Sequence, residues 1–87
     1  MNRVCYIVRI EKDSDSDWGA SVPDLPGCIA TAKTLDGTLR RIRAAIEMHV
    51  RGLREDGESI PCPRVRTLRP TASRNRVVMY ASVAVAA

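Results

Sequence analysis

The chain's 87 residues carry 14 Lys and Arg against 10 Asp and Glu, for a net charge of +4 and a pI near 9.4. So short a chain buries only roughly two-thirds of its unfolded surface, which limits it to one domain and favours a partner or a second copy of itself. Apolar residues at 45% and charged residues at 28% exclude a disordered tail. No apolar run approaches the roughly 20 residues of a bilayer span, and none follows the charged start MNRV as a leader would require, so a cytoplasmic protein is expected.

Phe is absent and aromatics total 3%, which leaves the core to Val, Ile, Leu, Met and Ala. VCYIVRIE (4 to 11) alternates, with Val4, Tyr6, Val8 and Ile10 on one side, and predicts a strand with one buried face. The acidic stretch KDSDSD interrupts it. Trp18, Ala20 and Val22 then resume the period of two up to Pro23, which cannot donate to a ladder, so the two strands form a hairpin. Next comes VPDLPGC, a corner of two prolines, an aspartate and a glycine. Pro23 and Pro26 fix their own φ and restrict the residues before them, while Gly27 accepts a positive φ. Two readings stay open: a tight turn with Leu25 folded into the core, or a stiff bend presenting Asp24 and Leu25 to a partner. Residues 28 to 33 are small and predict a short third strand.

From Leu35 the period changes. Leu35, Leu39, Ile42, Ile46, Val50 and Leu53 fall on one stripe of a helix of about five turns. Thr34 is its N-cap, Asp36 complements the dipole, and Gly57 with Pro61 and Pro63 ends it near Glu55 or Asp56. Residues 61–75 form a basic, proline-punctuated connector, and 76–87 an almost wholly apolar final strand. The expectation is one α+β domain over 1–87, a small antiparallel sheet of three to four strands with one helix on one face.

The succession YIVRIEKD, VPDLPGC, a short run ending in TL, a long helix and LREDGESIPCP resembles the HicB-like antitoxin family over roughly four-fifths of the chain. That resemblance implies a partial ribonuclease-H-like fold (βββαβ) and a non-enzymatic antitoxin that occludes a small mRNA-cleaving toxin of the HicA type. On the resemblance, Trp18, Pro23, Asp24, Leu25, Pro26 and Gly27 are the toxin-binding candidates. The chain is expected to be a homo-oligomer, dimer or tetramer, joined through sheet edges and the final strand. Many relatives carry a further C-terminal DNA-binding domain, and no room for one is expected past Ile60.

Departures from the family pattern are informative. The helix opens TLDGT where relatives have a capping-box acid, and Gly37 costs about 1 kcal/mol against alanine. Its exposed side is basic, with Arg40, Arg43, Arg51 and Arg54 as possible nucleic-acid contacts, and Arg64, Arg66, Arg69, Arg74 and Arg76 form a second group. Nucleic-acid binding or an orphan regulatory role is therefore the alternative reading, against which stands the lack of interleaved stacking aromatics. No cofactor, metal or catalytic residue is expected. Cys5, Cys28 and Cys62 are too far apart for a disulfide framework and read as buried or half-buried thiols, and His49 sits beside the apolar stripe without triad partners. Asp13, Asp15 and Asp17 crowd one loop, where Trp18 replaces the glycine that a calcium loop needs.

Overall fold

The computed structural model describes residues 3–65, 70–73 and 75–86. Two long strands dominate: β1 (Arg3–Asp13) and β5 (Arg76–Ala86) pair antiparallel along all eleven residues, from Arg3 opposite Ala86 to Asp13 opposite Arg76. β2 (Trp18–Ser21) flanks β1 and β3 (Ile29–Ala32) flanks β2, while the two-residue β4 (Thr71–Ala72) lies outside β5. The sheet order is β3-β2-β1-β5-β4. Five strands exceed the three to four expected, because β4 lies in the predicted connector and is too short and polar to show a period.

The period-two reading of β1 holds. Tyr6, Val8 and Ile10 are buried on the helix side together with Val83 opposite Tyr6, Val85 opposite Val4, and Ala20 of β2. The helix α1 (Leu35–Glu55) closes this face with Ile42, Ile46 and Val50, fully buried, and with Leu35 and Leu39 packed at the margin. Thr38 was not on the predicted stripe, yet it is fully buried; its hydroxyl donates to the Thr34 carbonyl at 2.8 Å, which removes the cost of burying it.

Both helix ends follow the sequence signals. The Thr34 hydroxyl accepts from the Gly37 amide at 3.0 Å. A Cβ on Gly37 would stand 2.9 Å from that hydroxyl oxygen and 3.3 Å from the Ala32 side chain, so the missing side chain permits the cap to sit against β3. At the other end Gly57 has φ +70°, its amide donates to Arg54 and the Glu58 amide to Leu53, a Schellman closure.

Candidate functional site

The corner at 22–28 is a closed turn. The Val22 amide donates to the Cys28 carbonyl (3.2 Å), Leu25 to Val22 (3.0 Å) and Cys28 to Leu25 (3.0 Å), with Gly27 at φ +86°. The prolines stiffen it as the sequence implied, and Pro23, Pro26 and Gly27 are exposed. The expectation of an exposed leucine is corrected: Leu25 is 0% exposed and belongs to the core with Val22 and Cys28. The physical reason is the turn's own hydrogen bonding, which folds the chain back and turns the side chain into the core instead of outward. Leu25 shapes the turn from within and cannot touch a partner.

Asp24 is half-buried and already engaged. Its Oδ2 accepts from the amides of Arg64 (3.0 Å) and Val65 (3.1 Å). Next to it, the Tyr6 hydroxyl donates to the Pro61 carbonyl at 2.6 Å. Burial pushes the Tyr6 phenol above its ordinary value, and the Asp24 carboxylate and Cys62 push in the same direction. A neutral phenol is the form that can donate to Pro61. The corner motif VPDLPGC therefore holds, through Asp24, the two residues that directly follow LREDGESIPCP, while Tyr6 of β1 holds Pro61 within it. Sequence reasoning missed this because the partners lie 40 and 41 residues away for Asp24 and 55 for Tyr6, beyond any local pattern.

Trp18 is half-buried and packs against the core from β2, which limits it to a partly accessible ring at the strand end. Of the thiols, Cys28 is buried and its pKa raised by that burial, whereas Cys5 and Cys62 are exposed, contrary to the expectation that all are buried or half-buried. Among the described residues no group of His, Cys, Asp and Glu is arranged to hold a metal ion.

The arginines of α1 divide by what they reach. Arg41 donates to the Thr31 carbonyl on β3 (2.8 Å) and Arg43 to the Ala84 carbonyl on β5 (2.9 Å). Two residues apart on a helix, the side chains leave in nearly opposite directions, and each reaches one side of the sheet. The ladder shows that these carbonyls point outward, away from β2 and from β1. A bonded Val22–Cys28 pair makes Ala20–Ala30 and Trp18–Ala32 bonded as well, so the backbone groups of Ile29 and Thr31 point away from β2. On the other side the Ser73 amide donates to Arg76, which fixes the same alternation outward at Ala84. Arg43, a nucleic-acid candidate, is thus committed to an edge carbonyl, and Arg40 lies 3.8 Å from Asp36 in an exposed i,i+4 pair. Arg51 and Arg54 remain exposed. Of the second basic group, Arg64 is exposed, Arg76 pairs with Glu11 and Asp13, and Arg66, Arg69 and Arg74 lie outside the described residues.

The model of the HicB-like antitoxin of bacterial toxin–antitoxin systems matches residues 6–86, nearly the whole chain. The chain belongs to the HicB-like antitoxin family. It is similar to a UPF0150 protein of Archaeoglobus fulgidus, 42% identical over 57 residues that make up 63% of this chain and 83% of that one. It is also similar to an uncharacterized 14.9 kDa protein of Haemophilus phage HP1, 39% identical over 56 residues, of which it spans 41% of the length. Among solved structures, the N-terminal domain of the Burkholderia pseudomallei antitoxin HicB superposes with a TM-score of 0.77 at 27% identity, covering 97% of this chain and 100% of that one. The B. pseudomallei HicB chain in a second structure matches with a TM-score of 0.63 at 34% identity, covering 75% of this chain and 49% of that one. In its α+β architecture this HicB-like protein follows the expectation drawn from its motifs.

Proposed function

We propose that this HicB-like chain is the antitoxin of a toxin–antitoxin pair, acting in the cytoplasm without enzymatic activity by binding a small HicA-type mRNA-cleaving toxin and covering its RNA-binding surface. The observation that carries the reading is the superposition on the HicB N-terminal domain over 97% of the chain, joined to the family match over residues 6–86. The contact surface lies around the corner: exposed Pro23, Pro26 and Gly27, with the half-buried ring of Trp18 and the outer part of Asp24. Leu25 supports that surface from beneath. A second copy joins through the outer edge of β5, of which the described residues of β4 pair only Val77 and Val78.

No second reading is favoured, because Arg43 is held at the sheet edge and Arg40 faces Asp36. The test is rescue in cells. Co-expression of the chain with a HicA-type toxin encoded beside it should restore growth and yield a stoichiometric complex, and light scattering should give a dimer or tetramer. Unabated toxicity in the presence of soluble chain would refute the reading.

A further inference from the structure

The edge of β3 remote from β2 has an arrangement that neither the family nor the corner explains. Backbone alternation leaves the Ile29 amide, the Ile29 carbonyl and the Thr31 amide directed outward, and among the described residues only the Thr31 carbonyl is taken, by Arg41. Ile29 itself is 69% exposed, unusual for so large an apolar side chain at an element the core depends on. Immediately beside this edge, on the helix side, lies an open cavity of about 620 Å³ whose rim holds Lys33, Arg40 and Arg41 against Asp17, with Asp36 lying 3.8 Å from Arg40 in an exposed pair.

We infer that this edge accepts an added β-strand from another protein, an extended segment with carboxylates at alternate positions. A strand laid antiparallel on β3 meets the outward groups of Ile29 and Thr31 with every second residue. Residues between those, opposite Ala30 and Ala32, project to the helix side, into the cavity rimmed by Lys33, Arg40 and Arg41. Carboxylates there meet guanidinium and ammonium groups in charge-assisted hydrogen bonds. Residues opposite Ile29 and Thr31 project to the other face and pack against the exposed Ile29 side chain. Arg41 serves as a guard: while the edge is empty it occupies one carbonyl, and on docking its guanidinium can pass to an incoming carboxylate.

A second copy of this chain does not fit. Antiparallel β3–β3 pairing about a two-fold axis keeps both helices on one side of the joined sheet and sets the two cationic rims face to face. The edge is open to an acidic strand and repels its own kind.

The inference does not depend on the toxin reading and is tested with peptides. The ¹⁵N-labelled full chain is titrated with an acetylated, amidated octapeptide alternating threonine and glutamate. The expected result is shifts at the Ile29 and Thr31 amides, slowed exchange of the Thr31 amide, and binding at least about tenfold weaker when lysine replaces glutamate. Lys33→Glu should weaken the glutamate peptide about tenfold, whereas Arg3→Glu, the same charge change at the far end of β1, should leave it unchanged. A peptide with proline replacing each threonine keeps the charge but loses the amides, and should not bind. No shift at these amides with peptide at about millimolar concentration overturns the inference. So does equal binding of the proline or lysine peptide, or tighter binding of a uridine octamer to the same residues.

Discussion

The corner at 22–28 and the edge of β3 that follows it invert what their sequences suggest. The corner, with its two prolines and glycine, has the composition of a presented loop, yet it is knitted by its own amides, buries Leu25 and uses Asp24 to hold 61–65. IATA looks like plain filler between a turn and a helix, yet it leaves Ile29 in solvent and directs backbone groups outward, without partners among the described residues, beside a cationic cavity. Stiffness specifies the path of a chain and not which of its side chains face outward. Exposure is settled by how the segment is folded and what it holds, here the turn's own hydrogen bonds and the return of 61–65.

Substitutions that separate a joint from a surface sharpen this contrast. The largest effect is expected at Leu25: Leu25→Ala should cost about 3 kcal/mol in urea unfolding, as for a buried leucine, whereas Ile29→Ala should stay within about 0.5 kcal/mol of the parent. Equal, small losses at both positions would erase the distinction. Asp24→Ala leaves two amides without their acceptor and should cost about 1.5 kcal/mol, while Asp24→Asn, which keeps a carbonyl oxygen for them, should lose less than half of that.

Tyr6→Phe removes the hydrogen bond to Pro61 and should cost about 1 kcal/mol near neutral pH. The pH dependence has a definite sign. The folded phenol titrates above its ordinary value of 10.0, so its contribution is complete below that value and is lost as pH rises through the higher folded value. The advantage of the parent over Tyr6→Phe should therefore shrink as pH rises above about 10. Smallest of all, Gly37→Ala should change stability by less than about 0.5 kcal/mol, because the propensity gain is offset by the crowding of the added Cβ against the Thr34 cap. A gain of the full 1 kcal/mol would show that the cap moves freely.

Much of the fold was legible because it is written in local periods. Alternation in β1 and the stripe through Ile42, Ile46 and Val50 name much of the core, and Thr34 and Gly57 mark the helix ends. Three things were hidden. β4 has two residues, too few for any period. The burial of Leu25 follows from three turn hydrogen bonds that proline and glycine content cannot distinguish from an open bend. The role of Arg41 and Arg43 depends on which carbonyls the ladder leaves outward, a register fact absent from the helix sequence, where they look like members of a solvated basic face. The joint occurrence of VPDLPGC and SIPCP was the one visible hint of a long-range contact, and it came through the family resemblance rather than through any spacing rule.

The central claim is that the Asp24 carboxylate of the corner closes a joint with Arg64 and Val65, which directly follow the second family motif. Amide hydrogen exchange at Arg64 and Val65 in the full chain, with and without Asp24→Ala, tests it most directly. The account predicts both amides protected in the parent and exchanging at nearly peptide rates in the variant, while the amides of β1 stay protected. Amides at 64 and 65 that exchange freely in the parent, or that are equally slow in both proteins, would contradict it.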